Sequence, residues 1–557
     1  MCIRDRQSEI IAAVASTMDV RLDAPVAMDT GEAQHGGTLV TLETGNLQAI
    51  DFHRVRSIGT MQWFVNVHLN LLEVDTQSRD KVIGDAAESW QVSEDGTQWT
   101  FNIREGLTTH KGNTFDAEDV RYNIWRWLNQ PNDVGMLRSG CVRNTTIDVS
   151  APDAQTVVMT TGSEAGPAPA ASFLKCISQA YLLLQPKGIM TPVDEPGAQR
   201  DLDVEEVDGI GPFVFDEYVP DNIIKSTRFE DYYEDDPDLP YLDGYHFAIV
   251  SDASARIAAF RTKRADFFPT FTTPRKPQAD QIKEEFGDDV TYVRVVAPGK
   301  RGIQINNTIE PFTDPEIRKA IHLAIDRNAV NAIHHDGVGI LAGPYLGLWD
   351  WIYSFDEYYT WPGFRSFPDG RIDEDLAESK RILESKGFTE DNKLQISIMA
   401  GTTEGDEVTV ADSLDDSWID VSFDRVAGPV WLDRTLRTDY QVYHESKGTE
   451  FDDPDAYNGL LYIPTAGINK TKWENARWLE LNELQKVELD QAQRGVYLRE
   501  MADIIFDTQI FVGTVRPRLN QINWSYMVGY VHPKFSHQST YRWDHVWLNM
   551  DAGAPNR

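Results

Sequence analysis

The chain predicts an α/β protein built from several lobes, and three observations carry that expectation. At 557 residues it is too long for one hydrophobic core and has the length of three or four lobes. Strand-like alternation and helix-like stripes follow one another along the chain. Gly and Pro punctuate the joins between them, and neither an internal repeat nor a low-complexity linker breaks the order.

Taken in order, the elements begin at "HGGTLVTLETG" (35–45), which turns strand-like, and 51–72 reads as an apolar helix ending in "NVHLNLLEVD". Asp95-Gly96, set between "WQVS" and "TQWTFNI", marks a hairpin, because a tight turn needs positive φ there. Trp99, Phe101 and Ile103 alternate with Thr100 and Asn102, as in a half-buried strand. Asp116 caps the next helix with Asp119 three residues on, and Val120, Ile124, Trp127 and Leu128 form its apolar stripe. A second strand pair is expected in "TTIDVSAPDAQTVVMTT", with Pro152-Asp153 in the turn. "DGIGPFVFDEYVP" and "IIKSTRFEDYY" are strand-like, and "YHFAIVSDASARIAAFRTKRADFF" reads strand, cap, helix. In "PFTDPEIRKAIHLAID" (311–326) Asp314 is the N-cap, Pro315 sits at N1 and Glu316 faces the positive end of the dipole. Ile317, Ala320, Ile321, Ala324 and Ile325 then make one apolar stripe. Strands and helices alternate through 290–440, and long helices close the series in "ENARWLELNELQKVELDQAQRGVYLREMADIIFD".

Charge narrows the function. The net charge is −36, from 88 acidic and 52 basic residues spread along the chain, and no basic stripe interleaved with aromatics stands out. Nucleic acid is excluded as a partner, since phosphate binding rests on Lys and Arg. The acids read as a solvated surface suited to salty surroundings, with an acidic pocket for a cationic ligand as the alternative. No stretch reaches the length of a membrane span, and "SFLKCISQAYLLL" is short and interrupted by Lys175. "MCIRDR" is not followed by a continuous apolar run, so the start is expected to be an assembly artefact with an export signal upstream.

Catalytic and metal signatures are lacking. GxSxG, HExxH and GxxxxGK[ST] do not occur, and so many acids make carboxylate pairs uninformative. His334 and His335 point about 100° apart on a helix and would not share one ion there; they read as a helix-end pair near Gly337. Of three cysteines, Cys141 precedes a strand and Cys176 lies on a helix; in an oxidising compartment they form one disulfide, otherwise two buried thiols.

Four blocks together carry a family likeness: "AESWQVSEDGTQWTFNIREGLTTHKGNTFDAEDVRYN", "GIGPFVFDEYVPDN…RFEDYY", "FAIVSDASARIAAFRTKRADFF" and "NNTIEPFTDPEIRKAIHLAIDRNAV". From about residue 36 onward the chain resembles the large solute-binding proteins of peptide ABC transporters, the dipeptide/oligopeptide/nickel-binding family, family 5. The resemblance implies a three-lobed, type II periplasmic-binding-protein fold in which two main lobes close on a cleft about a hinge and a third is inserted. Its implied division is 1–35 as leader, 36–57 as lobe I, 58–205 as the inserted lobe, 206–296 as lobe I again, 297–511 as lobe II, and 512–557 completing lobe I. It further implies a monomer without cofactor or catalysis, periplasmic or extracellular or lipid-anchored, handing a peptide or amine-bearing solute to a membrane permease. An opine, a sugar or a metal chelate is the alternative solute; a sensor or chaperone on the same fold, or a secreted hydrolase, the alternative activity.

Site residues follow from the same likeness. Peptide-binding relatives carry an Asp four residues before a proline, paired with the ligand's α-ammonium; in "YQVYHESKGTEFDDPDAYN" that place, before Pro454, is held by Glu450. Asp452, Asp453 and Asp455 crowd the same loop, where a cation would relieve their repulsion. Relatives often place Gly-Trp shortly before that acid, and here Ser446 and Lys447 stand instead. The strand "LQISIMA" leads into "GTTEG" without the Arg that dipeptide binders use for the ligand carboxylate, so the ligand lacks a free carboxylate or meets another cation such as Lys447. Trp431 falls where relatives carry a cleft-facing Trp, and Tyr345 and Trp349 lie in the aromatic stretch "GPYLGLWDWIYSFDEYYTW", where relatives line the cleft.

Overall fold

The computed structural model describes residues 32–55, 58–75, 81–129, 139–189, 202–233, 238–269, 272–297, 299–345, 349, 351–401, 405–448, 451–464, 469–532 and 541–557. Residues 1–31 of the expected leader, and Glu450, lie outside these residues. The chain divides into two compact units. Among the described residues, one holds those within Ala297–Thr449 and Pro454–Arg518; the other holds those within Asp23–Val296, Glu450–Asp453 and Leu519–Arg557. The stretch expected as an inserted lobe, 58–205, belongs to the latter unit.

The unit containing both ends of the described chain is built on two sheets. In the first, Thr38–Glu43 runs parallel to Gly244–Ile249, which pairs antiparallel with Ile223–Arg228, itself antiparallel to Phe213–Val219. Asp252 closes the strand-to-helix step by accepting from the Ala255 amide at 2.7 Å, opening the helix Ala253–Arg261. The second sheet is antiparallel, in the order Ala87–Val92, Gln98–Ile103, Thr156–Ser163, Thr146–Asp153. Its first turn has Gly96 at φ 72°, with the Asp95 carboxylate accepting from Thr97 and from the Ser93 hydroxyl. Phe101 and Ile103 are buried, as their alternation requires. The second turn falls two residues later than expected: Pro152 and Asp153 end the strand, and Ala154 and Gln155 turn.

The expected helix over 51–72 is broken into a 3-10 turn at Phe52–Arg54 and a short helix at Ile58–Phe64. The rest of the stretch leaves helical geometry because its polar groups find distant partners. The Asn66 side chain donates to the Tyr541 carbonyl at 2.8 Å and accepts from the Trp543 amide at 2.9 Å. Tertiary pairing here outweighs local propensity. Leu39, Trp63, Phe213, Phe247, Phe260, Ile522 and Trp543 belong to the core these pieces enclose. Cys141, on the helix Gly140–Thr145, is bonded to Cys176 on the helix Phe173–Ile177, with Cα atoms 6.0 Å apart.

In the other unit a mixed five-stranded sheet has the order Ile419–Arg425, Leu394–Ala400, Val442–Gly448, Gly299–Ile305, Phe511–Gly513. The first three strands are parallel, with the helix Glu407–Asp415 crossing between the first two; the remaining pairings are antiparallel. The helix Pro315–Ala324 is capped by Asp314, whose carboxylate accepts from the Glu316 amide at 2.9 Å and meets the Lys386 ammonium at 2.5 Å. Its stripe of Ile317, Ala320, Ile321 and Ala324 is buried against Phe364, Leu383 and Ile396. Burying each isoleucine contributes about 1.5–3 kcal/mol. A second core gathers Tyr345, Trp349, Tyr457 and Trp478 with the helices Ala476–Val487 and Gln491–Thr508.

Candidate functional site

One strand organises the site. In Val442–Gly448 the side chains of Tyr443, Glu445 and Lys447 fall on one face by the two-residue period, and His444 and Ser446 fall on the other. The Glu445 carboxylate meets the Lys447 ammonium directly and lies 3.5 Å from that of Lys470. Both lysines are nearly enclosed, at 2% and 4% side-chain exposure. Burial works against the Glu445 charge, but Lys447 first and Lys470 next outweigh it and hold the carboxyl below its ordinary pKa.

Aromatic rings wall this cluster. Lys470 lies 4.6 Å from the centre of the Trp431 ring, on the helix Gly428–Leu436, and 5.6 Å from that of Tyr443. Such placement over a ring face favours a cation. Tyr440 donates from its hydroxyl to the Lys470 carbonyl at 2.6 Å and packs on Tyr443 at 4.6 Å, so the loop bearing Lys470 is pinned to the ring cluster. Two ammonium groups thus face one buried carboxylate.

A third buried cation stands apart. Lys300 is fully buried, donates to the Pro344 carbonyl at 3.1 Å, and lies 4.7 and 4.8 Å from the ring centres of Tyr457 and Phe511. It borders a small pocket shared with Tyr462, Phe506 and Gln509. Burial, and then the Arg516 charge, push its ammonium well below the usual lysine range.

The expected residues fare differently. Lys447 and Trp431 come together around Lys470. Tyr345 and Trp349 are packed inside the second core, 1% and 5% exposed, with the Tyr345 hydroxyl donating to Asn458 at 2.6 Å. Asp452 is exposed and belongs to the other unit, where its carbonyl accepts from Lys175 at 2.7 Å. The repulsion expected among the loop acids is relieved at Asp455 from within the chain. Its carboxylate accepts from Gln485 at 2.5 Å and lies 3.5 Å from Arg494. Glu445, Tyr443 and Lys470 escaped the sequence reading. The alternation in "YHESK" signals the first two, whereas Lys470 has no local signal, being brought in by a separate loop.

Comparison with known proteins places this frame. The model of the bacterial extracellular solute-binding proteins, family 5 Middle, matches residues 81–469. Di/tripeptide-binding protein 1 of Pseudomonas aeruginosa is 24% identical over 460 residues, covering 76% of this chain and 79% of its own. Heme-binding protein A of Haemophilus influenzae is 26% identical over 295 residues, half of each chain. The periplasmic binding protein DppA of Helicobacter pylori, solved in complex with peptide STSA, shares the fold with a TM-score of 0.76 at 20% identity, covering 93% of this chain and 99% of that one. With a match spanning well over half of its length, the chain belongs to the bacterial extracellular solute-binding proteins of family 5.

Proposed function

We propose that this protein captures a short peptide or a related amine-bearing solute and hands it to the permease of an ABC transporter. The observation that carries the reading is the strand Val442–Gly448, whose Glu445 and Lys447 stand beside Lys470 and Trp431 and whose sequence leads directly to Glu450. Glu450 takes the solute's ammonium, with Asp452 adding negative charge in the same stretch. Trp431 offers a flat apolar wall, and the ammonium groups of Lys447 and Lys470 face an anionic part of the solute. Tyr345 and Trp349 back the site from the core. The protein works as a monomer without catalysis, free in the periplasm or tethered at the outer face of the membrane. The relatives named for di- and tripeptides support a peptide. Lys447, standing where such relatives place Trp, favours a non-peptide solute such as an opine, a sugar or a chelate as the second reading.

Calorimetry with di- and tripeptides tests this. Binding is expected, and Glu450→Ala should weaken it by ~1.5–3 kcal/mol, the worth of a charged hydrogen bond. An unchanged affinity removes Glu450 from the site. If no peptide binds while native mass spectrometry of the purified protein releases another small molecule, the second reading replaces the first.

A further inference from the structure

The opposite face of the same strand carries His444 into a separate cluster. Its Nε2 lies 3.0 Å from Asp406 Oδ1, and its Nδ1 lies 3.6 Å from Glu407 Oε2. Asp406 and Glu407 begin the helix Glu407–Asp415 and are 1% and 2% exposed. His335, just past the helix Arg327–His334, points its Nε2 at Asp406 Oδ2 from 3.7 Å with its side chain only 8% exposed. His335 Nε2, His444 Nε2 and Asp406 Oδ2 are buried and make no hydrogen bond. His334 turns away and bonds the Thr409 hydroxyl at 2.9 Å, so the two adjacent histidines do not converge, as their helical spacing predicts.

We propose that Asp406, Glu407, His444 and His335 bind one transition-metal ion, in a site independent of the solute reading above. One atom each from Asp406, Glu407 and His444 lie within 4.8 Å of one another. A tetrahedral zinc ion with ligands at about 2.0–2.2 Å sets neighbouring donors about 3.3–3.6 Å apart. The 3.7 Å between His335 Nε2 and Asp406 Oδ2 comes close to that spacing. The other carboxylate oxygens are already held. Arg301 reaches Asp406 Oδ1 at 3.2 Å, while Arg425 and the Gly405 amide donate to Glu407 Oε1 at 2.5 and 3.0 Å. These contacts orient the carboxylates as outer partners orient metal ligands. The two guanidinium charges also offset the two carboxylates, so simple attraction does not draw a hard cation such as Ca²⁺. Affinity must come from the imidazoles, which select zinc-like ions.

The test uses the full chain, stripped with chelator and dialysed against Zn²⁺ or Ca²⁺, followed by elemental analysis and thermal denaturation. One zinc per chain and a raised melting temperature are expected, with no response to Ca²⁺. His335→Gln is the main variant, because its Nε2 has no hydrogen bond to lose; it should keep the apo melting temperature and weaken zinc about tenfold or more. Adding His444→Gln should abolish binding. Failure of the wild-type protein to retain zinc overturns the proposal, as does equal zinc affinity in His335→Gln, which would mark the cluster as a network of ion pairs only.

Discussion

The two units bury charge in different ways. In the unit holding the chain's first strand, two buried arginines form closed sets. Arg126 grips Asp51 through two bonds of 3.1 and 2.7 Å and donates to His53 at 2.9 Å. Arg542 bridges Glu73 and Asp85, both at 2.9 Å, and donates to the carbonyls of Val65 and His68. Asp85 also accepts from Tyr233 at 2.6 Å and from the Asn70 amide at 2.7 Å. In the unit holding the mixed five-stranded sheet, closed pairs such as Asp375 with Arg365 stand beside other, uneven arrangements. Two lysines share Glu445, Lys300 rests on carbonyls and rings, and the Asp406 cluster keeps buried atoms without hydrogen bonds. A closed set is finished by the fold alone. An uneven one leaves an electrostatic deficit that a solute or ion can fill, which is why the proposed sites fall in the second kind.

Breaking a closed set should cost most. Arg542→Ala leaves Glu73 and Asp85 buried without their cation, and a loss of about 3–5 kcal/mol is expected from urea denaturation. A loss under about 1 kcal/mol would erase the contrast between the units. Next comes Cys141→Ser with Cys176→Ser, which frees a loop of 35 residues and should lower stability by about 2–4 kcal/mol, read in the same assay.

His53 offers a finer probe of the closed kind. Burial first, and then the Arg126 charge, push it down to about 3, keeping the ring neutral while Nε2 donates to the Leu183 carbonyl at 2.8 Å. Its folded pKa lies below the unfolded value of about 6.5, so the unfolded chain binds the extra proton. This contribution is therefore whole above pH 6.5 and falls by about 1.4 kcal/mol per pH unit as the solution is acidified towards 3. An NMR titration showing His53 protonating near 6.5 would refute it. The smallest effect belongs to the uneven kind: Lys470→Met leaves Glu445 paired with Lys447, and stability should shift by less than about 1 kcal/mol while solute affinity falls. A large loss of stability with unchanged affinity would make Lys470 a scaffold residue.

How much of this was legible follows the range of the forces. Asp314 and Pro315 announce their helix because a cap is satisfied within three residues. Asp95-Gly96 announces its hairpin because the turn's conformation and bonds are local. Where partners lie far away, the reading failed: 51–72 looked helical until Asn66 met Tyr541 and Trp543. Trp431 and Lys447 were legible as candidates through family likeness, but their association with Lys470 was not.

Taken alone, the sequence determined the alternation of strands and helices, the capped helix at 315–324 and the family likeness, since each depends on neighbours in the chain. Tertiary structure alone decided which ions pair. Arg542 finds Glu73 from 469 residues away, and Lys470 finds Glu445 from a loop that shares no element with it. Among 52 basic and 88 acidic residues, composition leaves those choices open. Burial settles them, because only inside the protein is an unmatched charge costly enough to select its partner.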